Sequence, residues 1–224
     1  MRNLCSALIG AVIFSAPALA ADMPVKAQPM APVYSWTGFY VGGHAGYAWT
    51  TQNMSATDRA AITATYGAVP SPKGFVGGLH AGYDYQLANR VVVGLGLEVN
   101  GFGVDAVNNT TGIAPGSSLK STIDWDFTVF GRVGYAFDRF LPYVLLGGAW
   151  DHNKTNGFNG FIGPFSVNVW HTGWTVGAGV EMPIANHWTG RVQYRFVDSD
   201  TQTYLNRQIS GTGSIIDVGI SYRF

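Results

Sequence analysis

The last nine residues, Ile216 to Phe224, alternate without a break: Ile216, Val218, Ile220, Tyr222 and Phe224 are bulky and apolar, with Asp217, Gly219, Ser221 and Arg223 between them. A period of two puts each set on its own face of an extended strand. Alone, such a segment fits two structures. It is either the last strand of a soluble sandwich or the closing strand of a membrane barrel, whose apolar face meets lipid and whose polar face meets the lumen. The choice depends on whether the rest of the chain repeats the pattern and is exported.

The pattern does repeat. Strands are expected over Gly38–Trp49, Phe75–Gln86, Val91–Gly103, Ile123–Tyr135, Leu141–Ala149, Trp170–Met182 and Trp188–Phe196, before the closing segment. Leu141–Ala149 is the least regular: Tyr143, Leu145 and Ala149 are assigned outward, although Leu146 and Trp150 fall on the inner parity. Short connections, Leu87–Arg90, Phe137–Phe140 and Pro183–His187, alternate with long polar stretches at Thr50–Lys73, Asp105–Lys120, Asp151–Pro164 and Asp198–Thr212. Alternating short turns and long loops are the outer-membrane arrangement. The expected fold is therefore all-β, a single eight-stranded antiparallel transmembrane β-barrel with short periplasmic turns, long extracellular loops and both termini periplasmic.

Export is read at the start of the chain. Met1-Arg2-Asn3 is a short basic start, Leu4 to Ala16 is mainly apolar, and Ala18-Leu19-Ala20 is a small-x-small cleavage site, so residues 1–20 read as a Sec signal peptide. The apolar run is too short for a spanning helix. Residues 21–35, with Pro24, Pro29 and Pro32, read as a periplasmic leader, and 36–224 as the barrel. The single cysteine, Cys5, leaves with the signal, so no disulfide or thiolate metal site follows. Charged residues make up 12% of the chain, aromatics 14%, and there are 30 glycines. That charge share is about half the usual one for a soluble domain. The 13 basic and 13 acidic residues balance, so nothing attracts nucleic acid by bulk charge.

Placed on the inner face, the polar positions form a candidate lumen network of His44, His80, Asp84, Glu98, Asp124, Asp126, Arg132, Glu181, Arg191, Arg195, Asp217 and Arg223, joined by His171. A lipocalin-like soluble barrel would invert the faces. The second face here is mostly Gly and opposed charges, too small and too ionic for a packed core. An eight-stranded barrel is only just wide enough for its own side chains, so these groups are expected to cross-brace the lumen. The alternative is a narrow cationic constriction of Arg132, Arg191 and Arg195 that passes small solutes. The outward faces of the expected strands carry no Ser or His for an envelope lipase triad. No catalytic, cofactor or metal site is assigned, although His44, His80 and Asp84 on neighbouring strands could form a base or metal cluster.

Further motifs point to a family. The leader from Ala21-Asp22-Met23-Pro24 to Pro32-Val33-Tyr34, then Trp36-Thr37-Gly38-Phe39-Tyr40-Val41-Gly42-Gly43, resembles the mature start of the small alphaproteobacterial outer-membrane immunogenic, or porin-family, proteins. Gly173 to Glu181, Trp188, Tyr194-Arg195 and the terminal Phe224 extend the resemblance. It implies an eight-stranded barrel in the bacterial outer membrane, in contact with lipid and lipopolysaccharide. It also implies surface loops open to a host or surface ligand, and a role in envelope integrity or host contact without catalysis. Ile216, Val218, Ile220, Tyr222 and Phe224 resemble the signal read by the barrel-assembly machinery. Some relatives bind hemin, an expectation that maps onto no residues here.

Overall fold

The computed structural model describes residues 34–69, 71–109, 118–159, 163–204 and 207–224. Among them are eight strands: β1 (Gly38–Met54), β2 (Lys73–Gln86), β3 (Val91–Asn109), β4 (Ser118–Tyr135), β5 (Leu141–Asn159), β6 (Gly163–Ala185), β7 (Trp188–Tyr204) and β8 (Arg207–Arg223). One helix, α1 (Ala56–Tyr66), lies between β1 and β2. Each strand pairs antiparallel with the next, and β8 returns to β1 from Tyr40↔Arg223 to Met54↔Ile209, closing the barrel. Closure leaves no edge strand with unpaired backbone groups, a condition for crossing a bilayer with strands. The segment expected to be a signal peptide, and the leader up to Val33, lie outside the described residues.

The faces are the reverse of a soluble barrel's. Phe75 and Leu95 on the outer wall are 78% and 70% exposed, while Asp84 and Glu98 on the inner wall are fully buried. Outward aromatics gather toward both ends, with Phe39, Tyr83, Tyr135, Trp188 and Phe224 near the short turns and Tyr47, Trp49, Trp125, Trp150 and Trp170 toward the hairpins. Inside, glycines make room for large neighbours. A Cβ on Gly42 would strike the His80 ring, and one on Gly96 would strike Phe130 and the Tyr40 hydroxyl. The small inner face is thus the complement of large side chains reaching across it.

Two expectations are corrected. The inner face of β5 is the one assigned outward: Tyr143, Leu145 and Ala149 are buried in the barrel, while Val144, Leu146 and Trp150 are exposed on the wall. This strand is apolar on both faces, so periodicity alone could not orient it. Second, the long polar stretches are mostly strand. β5 and β6 pair from Leu141↔Glu181 out to Asn159↔Gly163, and β7 and β8 out to Tyr204↔Arg207. Beyond the bilayer both faces of a hairpin meet water, so pairing continues after the apolar alternation stops. The Thr50–Lys73 stretch instead holds α1. Ser55 caps it by accepting from the Asp58 N–H at 3.1 Å and donating to the Asp58 carboxylate at 2.7 Å, and Gly67 closes it at φ 81°.

Tyr34 and Trp36 precede β1 and pack beneath the lumen. Trp36 is fully buried against Val92, Ala136 and Leu141, with Tyr34 beside it. Its backbone N–H donates to the Gln86 side chain at 2.9 Å and its backbone carbonyl accepts from Arg223 at 2.8 Å. The last residues expected to be leader, Tyr34 and Ser35, thus adjoin the barrel floor.

Candidate functional site

The inward charges form two layers. Nearer the short turns, Arg132 and Arg223 lie between Asp84 and Glu181. Arg132 Nε donates to Asp84 Oδ1 at 2.8 Å, its second amino group also meets that carboxylate, and its third reaches Glu181 at 3.0 Å. Arg223 reaches Asp84 at 2.7 Å and Glu181 at 3.0 Å. Thr189 adds a hydrogen bond to Glu181 at 2.7 Å. Two cations and two carboxylates make this layer neutral. The guanidinium of Arg132 also stacks on Tyr40 and Tyr143, at 4.5 and 5.0 Å, and that of Arg223 on Trp36 at 4.9 Å. Planar guanidinium suits this double duty of forked hydrogen bonding and ring stacking.

The second layer stands toward the hairpins. Glu98 takes Arg191 at 2.6 Å, Arg195 at 3.3 Å and Gln193 at 3.3 Å. Arg195 donates to Thr128 at 2.7 Å and lies 3.9 Å from Asp126. Asp217 meets Arg191 through an ion pair at 3.5 Å, and neither of its oxygens accepts a hydrogen bond from a described residue. Arg191 Nε and Arg195 Nε are likewise buried without an acceptor.

The histidines belong to this network rather than to a metal or base cluster. His44 Nδ1 lies 3.2 Å from His80 Nδ1, His44 Nε2 lies 2.5 Å from Asn100 Oδ1, and His80 Nε2 lies 2.7 Å from Ser221 Oγ. Asn100 donates its amide to Asp126 at 2.6 Å, so its oxygen must accept from His44. His44 therefore donates from Nε2, and one of the two facing Nδ1 atoms of His44 and His80 donates to the other. Asp84, expected beside the histidines, lies instead with Arg132 and Arg223.

Eleven of the twelve expected lumen residues therefore share one connected interior, and the side chain of Asp124 lies outside the described residues. Asp124 falls where the register slips against β5 between Ile123 and Trp125. Sequence parity did not single out Tyr40, Tyr143, Asn100, Thr128, Gln193, Thr189, Ser221 or Trp36 as partners. Inward parity was a usable signal for all of these except Trp36, which precedes the strands, and Tyr143, whose strand was read inverted. The closing-strand residues Ile216, Val218, Ile220 and Phe224 are exposed on the outer wall, and Tyr222 packs its ring on Trp188 and Phe224. A depression of about 830 Å³ also lies on that wall, between Tyr135, Val144, Val180, Val192 and Ile216, and its lining is apolar.

With this geometry in hand, the chain can be set beside known proteins. The family described as outer membrane protein beta-barrel domain matches residues 6–224. The 31 kDa outer-membrane immunogenic protein of Brucella melitensis is 32% identical over 248 residues, covering 100% of both chains. The 25 kDa outer-membrane immunogenic protein of Brucella canis is 30% identical over 245 residues, again covering 100% of both. Among solved structures, neisserial surface protein A is similar at 17% identity and a TM-score of 0.48, over 84% of this chain and 98% of its own.

Proposed function

The chain belongs to the outer membrane protein beta-barrel domain family and resides in the bacterial outer membrane; from that membership we propose that it is a non-enzymatic, non-conducting barrel that braces the envelope and presents its hairpins to the surroundings. The observation that carries this reading is the neutral lower layer. Arg132 and Arg223 are each held by both Asp84 and Glu181, with Trp36 beneath them. A pore lined by free arginines would leave them hydrated; here every lumen arginine has a carboxylate partner. The Ser221 and His80 pair is buried within the network, away from lipid substrate. Specificity for a host or surface ligand then rests on α1 and the hairpin ends. Ile216, Val218, Ile220, Tyr222 and Phe224 serve the assembly machinery, and residues 1–20 direct export.

The test is permeability. Protein refolded into liposomes is followed for entry of ions and small sugars against empty vesicles. Tight vesicles containing a folded barrel are expected. Uptake that disappears on neutralising Arg132, Arg191 and Arg195 would instead make the protein a narrow porin. That second reading draws on Asp217, Arg191 Nε and Arg195 Nε, whose unmet hydrogen-bonding capacity in the upper layer is suited to water.

A further inference from the structure

The ring of strand pairs is complete only as far as the hairpin-side aromatic girdle. Below it β6 bonds to both neighbours, but its pairs with β7 stop at Gly173↔Ser199, whereas its pairs with β5 run on to Asn159↔Gly163. Likewise β3 leaves β2 at Phe75↔Gly103 and continues with β4 to Asn109↔Ser118. β8 keeps β7 to Tyr204↔Arg207 and β1 to Met54↔Ile209. Closure therefore holds across the bilayer. Above it the wall parts into a sheet of β3 to β6 and a sheet of β7, β8 and β1, each with two edges among the described residues.

Three of these four edges are protected. On β1, the Thr50 N–H donates to the Pro72 carbonyl at 2.9 Å, and Arg59 of α1 donates to the Gln52 carbonyl at 3.1 Å. The β3 edge, residues 104–109, is short, starts at a register slip and includes Asp105. The β7 edge, residues 200–204, adjoins a slip between Ser199 and Gln202 and starts with the exposed Asp200. Short length, bulges and charge are the devices by which natural edges avoid pairing. Residues 163–170 of β6 use none of them beyond Pro164 near the tip: their register with β5 has no slip, and they include no charged side chain. Ser166, Asn168 and Trp170 are exposed. Every second residue of a strand with one partner turns its N–H and C=O away from that partner. About 25 Å of β6 thus offers main-chain groups to a further strand.

We propose that this edge of β6 is a strand-addition site for an extended segment of another polypeptide, an inference that rests on the proposed role of the hairpins as the contact surface. The segment lies beside β6 on its β7 side and is held by main-chain hydrogen bonds, so it must be β-prone and free of proline. Its charge is set by β7, where Asp198 and Asp200 stand across the opening. A segment carrying Lys or Arg complements them; Lys154, opposite Asn168 on β5, lies on the other side of β6. A second copy of this chain is not the occupant. Two copies in one membrane are related by an axis along the membrane normal, so their β6 strands run the same way and equal positions set N–H against N–H.

The protein in phosphatidylcholine nanodiscs is probed with a peptide of alternating Thr and Val that carries Lys at each end. In the free barrel, amide hydrogen exchange over residues 163–170 should alternate, every second amide being fast, and the peptide should slow that fast set. The same peptide N-methylated on two neighbouring residues, which blocks both of its edges, should bind about tenfold or more weakly because several main-chain hydrogen bonds are lost. Glu in place of the peptide's Lys should weaken binding, and D198N/D200N should remove that difference. Val167→Pro and Asn168→Pro separate the two sides of β6. One removes a donor to β5; the other removes a donor of the open edge, and it should keep the folded gel band while losing the peptide. Uniformly slow exchange over residues 163–170, no slowing by the peptide, equal binding of its methylated form, or full binding by both proline variants would each overturn the site. Self-association of the barrel through these residues would also overturn it, in favour of a second copy. Leaky vesicles would count against the closed lumen instead, since the edge lies outside the bilayer.

Discussion

Removing one member of the lower ion layer is the most direct probe of how the lumen is held. Arg132→Gln deletes a guanidinium that is 2% exposed and touches both Asp84 and Glu181, which are 0% and 1% exposed. Arg223 remains on both carboxylates, so the layer passes from neutral to a net charge of −1 in a buried site. Breaking a buried pair in this way costs about 3–5 kcal/mol, against about 0–1 kcal/mol for a solvated one. The loss is read from urea unfolding in phospholipid vesicles, followed by tryptophan fluorescence and by the heat-modifiable gel band. Glu181→Gln alone leaves the layer at +1, and R132Q/E181Q restores neutrality between Asp84 and Arg223. The double variant should therefore recover at least about 1 kcal/mol relative to the sum of the singles. If R132Q costs under about 1 kcal/mol, or the two changes simply add, the lumen is hydrated and the argument for a closed barrel fails with it.

Three further outcomes follow from particular contacts. Trp36→Ala empties the floor against Val92, Ala136 and Leu141 and should lower stability by about 3–5 kcal/mol in the same unfolding assay. Gly96→Val should abolish the folded gel band because its side chain would enter Phe130 and Tyr40, whereas Gly43→Ala, whose added carbon would meet its nearest neighbour at 3.7 Å, should fold normally. Phe224→Ser should refold in detergent, since its backbone N–H still donates to Phe39, but should reach the outer membrane of cells in reduced amount, measured by fractionation.

Most of the barrel could be read from the sequence because lipid imposes a strict rule. On β1, β2, β3 and β6 to β8 every second side chain must be apolar, and the opposite one small or charged, so the faces and the inward charges followed together. The rule weakened where its cause did. Past the bilayer, the Asn153 to Asn159 part of β5 keeps its pairing with β6 although neither face needs apolar residues. At Asp124 the register slip interrupts the count of alternate residues. The helix α1 was also legible in principle, since Ser55 and Asp58 form a capping pair, but its weak apolar stripe hid it in a polar stretch. Pairings were harder than faces. Parity placed Asp84 and the histidines on the inner face, but it did not show which neighbours a glycine of the intervening strand lets meet. Asp84 and Arg132 both pair with Gly94 and meet over it, and His80 and Ser221 both pair with Gly42.

The misassigned strand bears most directly on function. Tyr143 and Leu145 read as lipid-facing because they are large and apolar, yet both point inward, where they pack with Phe130. Their place in the interior has a physical logic. Tyr143 lies under the Arg132 guanidinium and donates its hydroxyl to Gln193 at 2.9 Å, while Gln193 in turn reaches Glu98. The aromatic side chain thus connects the lower ion layer to the upper one without leaving a polar gap between them. Phe130 fills the space over Gly96 on the neighbouring strand, and Leu145 that beside Gly177. The apolar inner face of β5 thus fills the lumen between the two ion layers with packed side chains, as the proposed shape-holding role of the wall requires.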